Sequence, residues 1–436
     1  MTRVSLRAET VELLQRLIRV DTVNPPGNET AAAELLREYL EANGVECELY
    51  ARIPERANLV ARIRGSGDGP RLALLSHTDT VLADPAEWQL DPWSGELRDD
   101  EVWGRGALDM KGQVAASAVA MASLAREGFR PNGDLIFLAA ADEEVGAGFG
   151  LQWLCEAHPE AVHAEYALNE GAGDRVVFGG QAFYVCASAE KMSAPFRLRI
   201  LGRSGHASMP GIADNALVKA AEVIRLISEY KPEQRYGPET EALTRELTGG
   251  ELPPVDEAVE RAAQVHPLAG AVLEPLLSLT MAPTMISASQ KRNVIPAICE
   301  IVVDRRLQPG QTVEEAEAVV RSLIPDGIDY EYVLMESQGG TRSPLGTPLW
   351  EAVESFVQET EPGARTAPLC VAGFTDSHWL RAAYDTVAYG FFPTRTMDVE
   401  LATRLIHSAD ERAHVEDLEL GAEFLRHAAR YIGALS

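Results

Sequence analysis

Leu72-Ala73-Leu74-Leu75-Ser76-His77-Thr78-Asp79-Thr80-Val81 reads as a buried strand that ends by presenting two polar side chains, His77 and Asp79, at a sheet edge. The same device recurs downstream. A largely apolar run over 134–141 (DLIFLAAA) leads into Asp142-Glu143-Glu144, and YALN leads into Glu170. Strands are expected near 58–64, 71–76, 134–140 and 165–169, with helices over 111–127 and 148–157 between them. That alternation predicts an α/β domain whose sheet carries helices on both faces. In such sheets sites form outside the carboxyl ends of the strands, where His77, Glu143, Glu144 and Glu170 fall.

Upstream, Val11, Leu13, Leu14, Leu17 and Ile18 share one helical face, and Ala33, Leu35, Leu36 and Leu40 share another. Asn24-Pro25-Pro26-Gly27 breaks the chain between them. After about residue 190 the pattern changes. FRLRILG alternates as a half-buried strand, a helix is expected over 212–229, and strand, helix and strand follow at 298–307, 312–324 and 328–335. These predict a small α+β domain, with 230–290 as a longer excursion whose acidic 231–262 part lies on the surface. Helix, strand and helix return after 346, together with His407. The reading is therefore a first domain in two parts, 1–189 and 337–436, with 190–336 inserted.

At 436 residues the chain exceeds the size at which one hydrophobic core usually stops growing, which agrees with two domains. A formal charge of −27 argues against nucleic acid and anionic membrane as partners, since both repel an acidic surface. Met1–Arg7 lacks the apolar core of a signal peptide, and no apolar run approaches ~18 residues, so a cytoplasmic protein is expected. Five cysteines, at 47, 155, 186, 299 and 370, form no CxxC; they indicate neither a disulfide framework nor a thiolate zinc site and read as small buried hydrophobes.

The chemistry lies in a spaced series: His77, Asp79, Asp109, Glu143, Glu144, Glu170 and His407. Each has a plain reading of its own. His77 could be a strand-end histidine, Asp109 an N-cap for the helix after it, Glu143-Glu144 a solvated turn, and His407 a surface histidine. Read together they carry ligand types suited to zinc, each preceded by a short apolar run resembling a buried strand, and they point to a two-metal hydrolytic site. Asp79, two residues past His77, could orient its ring. A carboxylate in the glycine-bearing loop Gly104–Gly112 has two oxygens with which to bridge two cations. Adjacent acids at 143 and 144 point apart, so one can bind metal while the other handles protons. His206, in GRSGHASMP, sits in a turn of the inserted domain.

The segments SHTDTV, GRGALDMKG, DEEVG, GRSGHASMP, NVIP and DRRLQPG together resemble the di-zinc exopeptidases and deacylases that include glutamate carboxypeptidase, aminoacylase, acetylornithine deacetylase and succinyl-diaminopimelate desuccinylase. The resemblance runs from about residue 10 to 430. It implies a zinc-exopeptidase-like catalytic domain with a central, mostly parallel sheet, plus a ferredoxin-like lid and dimerisation domain. It implies two zinc ions, replaceable by cobalt or manganese, with Asp109 bridging, His77 and Glu170 on one ion, and Glu144 and His407 on the other. Glu143 would be the general base for a water held between the ions, Asp79 the partner of His77, and His206 an oxyanion donor able to reach a partner subunit's site. Asn293 and Arg306 would hold substrate, Arg306 in preference to Arg305, and Asp376 would play a supporting part. The bond after Asp109 is expected to be cis.

The implied reaction is hydrolysis of the amide in an N-acyl amino acid or short peptide by a homodimer, with release of a free amino acid. Glu rather than Asp at position 170 favours deacylases and carboxypeptidases over aminopeptidases and dipeptidases. Hydrolysis of a carbamoyl or ureido compound, and a non-catalytic metal-containing binding protein, are the alternatives. The segment FFPTRTMDVELATRLIH departs from relatives by lacking their glycine-rich turn, which leaves the substrate pocket open to question.

Overall fold

Every residue of the strands Leu72–His77 and Leu135–Ala140 is buried, and the two pair in parallel with His77 opposite Ala140. The computed structural model describes residues 5–289 and 291–436; the first four residues of the N-terminal segment read above lie outside them. Leu72–His77 also pairs in parallel with Tyr166–Asn169, which pairs in parallel with Val387–Gly390. This four-stranded parallel centre belongs to a nine-stranded sheet whose flanks are antiparallel at Ala57–Ile63 and Glu46–Ala51. Shared direction and aligned register bring the carboxyl ends of the central strands to one edge.

Helices cover both faces, as buried strands require. The helix Lys111–Arg126 is buried from Lys111 to Leu124 because it lies over the sheet with Leu6–Ile18 and Val415–Gly433 packed against it. Its composition fits that position: KGQVAASAVAMASLAR is rich in alanine and lets neighbours approach closely. The two N-terminal helices span Leu6–Ile18 and Thr30–Glu41, and Ser5 caps the first by accepting from the Ala8 N–H.

The chain packs as two units. One contains the described residues up to 188, with 343–369 and 375–436; the other contains 189–342 with 370–374. In the second unit Phe196–Leu201 pairs with Ile298–Leu307 and Tyr330–Leu334, and Thr280–Ser287 pairs on the far side of Ile298–Leu307, all antiparallel. With the helices Ala216–Glu229 and Val313–Leu323 this is the ferredoxin-like order. Phe196, Leu198, Ile200, Ile301 and Val303 meet Ala220, Val223, Ile227 and Val320 in one core. Strict alternation fixes this register, since a one-residue slip would turn the apolar set to solvent. Burying each of the larger side chains contributes about 1.5–3 kcal/mol relative to exposing it.

Several sequence-based expectations change in detail. The helix expected over 148–157 begins at Leu151, and that over 212–229 begins at Ala216, after a short 3-10 turn at Pro210–Ile212. The excursion at 230–290 holds the helices Pro238–Leu247, Val255–Val265 and Pro267–Leu273 and the strand Thr280–Ser287. That strand escaped notice because its half-exposed residues carry no alternating apolar pattern. Cys186, Cys299 and Cys370 are buried as expected, but Cys47 and Cys155 are only half-buried. Among the described residues no helix is long and apolar enough to cross a membrane.

Candidate metal centre

His77 is the last residue of its strand, and Glu143-Glu144 and Glu170 follow the ends of the two strands beside it. Asp109 and His407 arrive differently. Met110, not Asp109, is the N-cap of Lys111–Arg126, and the Asp109–Met110 bond is cis. His407 follows a helix, Val399–Leu405, with φ of 59°, so the apolar run before it is not the strand its sequence suggested.

A three-stranded sheet brings these two distant segments together. Arg412–His414 pairs with Glu101–Trp103, which pairs with Glu96–Arg98. Glu411, just before that strand, is fully buried. Its Oε1 accepts the N–H groups of Leu108 (2.8 Å) and Asp109 (3.0 Å). Its Oε2 accepts the Gly106 N–H (3.0 Å) and the Arg105 guanidinium (2.6 Å). One carboxylate thus fixes the backbone of the Asp109 loop.

Asp109 lies between the two imidazoles. Its Oδ1 is 3.1 Å from His77 Nε2, and its Oδ2 is 3.0 Å from His407 Nε2. Glu170 Oε2 is 3.7 Å from His77 Nε2, and Glu144 Oε2 is 3.2 Å from His407 Nε2. Ligand atoms of His77, Asp109 and Glu144 lie within 4.8 Å of one another, as do those of His77, Glu143 and Glu170. Ligands about 2.0–2.2 Å from a tetrahedral zinc sit ~3.3 Å apart, within the spread seen here. Glu144 Oε1 is buried with no hydrogen-bond partner, an arrangement that a cation would relieve. The donor set of two imidazoles and three carboxylates fits zinc, cobalt or manganese.

The Glu143-Glu144 turn is held from beneath. Asp79, fully buried, accepts the N–H groups of Glu143 (3.2 Å) and Glu144 (3.1 Å) and the Asn24 amide (2.9 Å). Its carboxylate lies 3.4 Å from His77 Nδ1, while its backbone carbonyl is closer at 3.2 Å. The expected orienting group for His77 is therefore accompanied by a main-chain acceptor, and the carboxylate does more for the neighbouring turn. Asp142, left-handed at φ 67°, accepts from Asn24 (2.9 Å), from Arg56 (2.9 Å) and from the Phe149 N–H (3.0 Å). Arg56 in turn forks onto buried Glu29 at 2.7 and 2.6 Å.

Charge is concentrated here. Burial opposes protonation of His77, yet the charge of Glu170 and hydrogen bonds to Asp109 and Asp79 raise it well above its ordinary value. Hydrogen bonds to Asp109 and Glu144 push His407 up to about 10. Burial and the charge of Glu170 raise Glu143 well above the usual carboxylic acid. Burial likewise raises Glu170 and Asp376. Asp376 is buried, and neither of its oxygens has a hydrogen-bond partner.

The remaining predicted residues lie in the second unit. Gly205-His206 pairs with Val294-Ile295, so Asn293 and His206 share one ribbon, where the Asn293 carbonyl accepts the Ala207 N–H at 3.1 Å. His206 is exposed and its Nδ1 accepts the Ser208 N–H at 3.2 Å, which makes Nε2 the donor nitrogen of the neutral ring. Arg306 is half-buried and forks onto Asp304 at 2.9 and 3.0 Å. Arg305 is fully buried, donates to the Ala194 carbonyl and the Tyr332 hydroxyl, and lies over the Phe196 ring. Sequence reading missed Asn24, Glu29, Arg56 and Glu411. For Glu411 a signal existed, four residues after His407; the other three carry no local mark.

The family model for peptidase family M20/M25/M40 matches residues 73–431. The chain is 28% identical to an N-fatty-acyl-amino acid synthase/hydrolase of Xenopus tropicalis, covering 96% of this chain and 85% of that protein. It is 27% identical to a succinyl-diaminopimelate desuccinylase of Thioalkalivibrio sulfidiphilus, over 94% and 96% of the two chains. Its fold is similar to that of an M20 family metallo-carboxypeptidase from Sulfolobus solfataricus, with a TM-score of 0.74, 18% identity, and coverage of 98% and 99%.

Proposed function

This chain belongs to peptidase family M20/M25/M40, metallohydrolases acting on acyl amino acids or peptides, and from that premise we propose that it cleaves the amide of an N-acyl amino acid or short peptide with two zinc ions. The observation that carries the reading is Asp109, one oxygen of which faces His77 while the other faces His407. Asp109 would bridge the ions, with His77 and Glu170 completing one site and Glu144 and His407 the other. Zinc, when bound, supplies Lewis acidity toward the carbonyl and toward water.

Glu143 takes the proton of the attacking water and passes it to the leaving nitrogen. Its buried setting beside Glu170 raises its basicity, as a general base requires. Asp79 holds the turn that carries this base. In the second unit, Asn293 and Arg306 bind substrate, Arg306 as the carboxylate fork, a role its partial exposure suits better than the buried Arg305. His206 Nε2 donates to the oxyanion across a homodimer.

Glu143→Ala tests the mechanism. Metal analysis should find zinc content unchanged, while turnover of the best substrate in a panel of N-acyl amino acids and dipeptides falls by roughly 10²–10⁴-fold or more. Undiminished turnover would remove Glu143 from the chemistry.

A further inference from the structure

Beside Asp109 and Glu170 the first unit holds a cavity of about 210 Å³, one side of which, Phe392, Thr394, Met397, Ala402 and Ile406, comes from the segment that departs from the relatives' pattern. Its apolar lining includes Leu108, Phe392, Met397, Ala402, Ile406 and Leu418. The segment is fixed in place. Asp417 Oδ1 accepts the N–H groups of Arg395 and Thr396, and its Oδ2 accepts that of Met397, all at 2.9 Å. On the other side the Phe392 N–H donates to the Ala172 carbonyl at 2.8 Å, and the Arg175 N–H donates to the Thr394 carbonyl at 2.9 Å. The Phe392 ring occupies space left by Gly421, where an added Cβ would fall 2.1 Å from it. The cavity is therefore preformed, which lowers the ordering cost of filling it.

Resting on the function proposed above, we infer that this cavity receives the acyl chain of the substrate and selects uncharged apolar acyl groups over dicarboxylic ones such as succinyl. Three features carry the choice. The volume exceeds the roughly 150 Å³ of an apolar cavity that takes benzene, so an alkyl chain of several carbons fits. Among the described residues lining it there is no Lys or Arg, while Asp174 and Asp417 add carboxylates. A distal carboxylate would thus enter beside Asp174 and Asp417 with no Lys or Arg to pair it, and the His414 imidazole, with the Gln113 and Thr394 side chains, offsets its desolvation only in part. The amino-acid end of the substrate carries such a carboxylate and the acyl chain does not, which assigns the cavity to the acyl side. It adjoins Asp109 and Glu170, so a chain lodged there starts from a carbonyl placed at the metal centre.

The test uses the zinc-loaded protein with N-octanoyl-, N-acetyl- and N-succinyl-L-alanine and N-acetyl-L-leucine, read by amine release. The octanoyl compound should exceed both the acetyl and the succinyl compound in kcat/KM by roughly tenfold or more. Ala402→Phe, which narrows the cavity from the helix Val399–Leu405, should lower the octanoyl-to-acetyl ratio by a similar factor, and the milder Ala402→Leu by less. Because the ratio is taken within one protein, partial misfolding cancels from it. Succinyl turnover equal to or above octanoyl, a gain that follows the leucine side chain instead of the acyl chain, or a ratio unmoved in both variants overturns the assignment while leaving the hydrolase reading intact. No turnover of any member, with zinc bound, removes the hydrolase reading and the cavity's role with it.

Discussion

The candidate ligands of the first unit and the candidate substrate residues of the second are held by opposite means. Asp109, Glu143 and Glu144 sit on backbone fixed by buried carboxylates: Glu411 under the Asp109 loop, and Asp79 under the Glu143-Glu144 turn. His206, Asn293 and Arg306 lie on partly or fully exposed elements, with side chains engaged by near neighbours in sequence, Ser208 for His206 and Asp304 for Arg306. Holding two cations requires ligand atoms at fixed separations among mutually repelling carboxylates, and a buried, multiply hydrogen-bonded frame supplies that. The residues proposed to recognise substrate lie on exposed elements and need no such frame.

The sharpest way to break this contrast is Glu411→Ala. It strands the buried Arg105 guanidinium and three backbone N–H groups, an expected loss of about 3–5 kcal/mol. Zinc affinity should fall by roughly 10–100-fold as the Asp109 loop loosens. Thermal unfolding and metal analysis would measure both, and a variant unchanged in both would show that the loop is held by other means.

Arg306→Ala and His206→Ala probe the other side. If these residues serve substrate, kcat/KM falls by roughly 10²–10³-fold for His206 and by a smaller factor for Arg306. Zinc content and melting temperature should stay at their original values. A loss of metal in either variant would erase the distinction between frame and recognition.

Metal binding needs neutral imidazoles, whereas in the metal-free protein the hydrogen bonds from Asp109 and Glu144 push His407 up to about 10, and His77 is raised as well. Zinc must therefore displace protons, so its affinity should rise with pH between about pH 6 and pH 8. Calorimetry in buffers of different ionisation enthalpy would count the protons released, and a pH-independent affinity would contradict the charge state described.

The smallest effect is expected far from the site, at Arg71–Glu165. Burial works to raise Glu165, but the Arg71 guanidinium and backbone N–H outweigh it and hold the carboxyl down at about 2. A depressed pKa stabilises the fold above the ordinary carboxylate value, and the contribution disappears as pH falls toward 2. Because both side chains are partly exposed, solvent screening limits the pair to about 1 kcal/mol or less. Arg71→Gln should lower stability at neutral pH by about 1 kcal/mol or less, and the difference from the parent should vanish as pH falls toward 2; denaturant unfolding across that range would measure it, and an equal loss at every pH would contradict the pairing.

Much of this was legible in the chain itself. Apolar runs ending in His77, Glu143-Glu144 and Glu170, alternating with helical stretches, pointed to an α/β sheet covered on both faces, because a strand buried on both faces needs an uninterrupted apolar run, while its mostly parallel pairing was implied by the family resemblance. The strand Thr280–Ser287 was not legible, since an edge strand with exposed residues carries no periodic pattern. Nor was the helix before His407, whose short apolar run reads equally as a strand.

The sequence by itself determined which side chains can bear charge and metal, and the order in which strands deliver them, because both follow from local composition and periodicity. Tertiary structure alone decided that Glu411 would grip a loop some 300 positions earlier in the chain and that Asn24, Arg56 and Glu29 would converge beneath Asp142. Those pairings join residues far apart in sequence, and they exist because carboxylates and guanidinium groups taken out of water must find partners wherever the fold brings them.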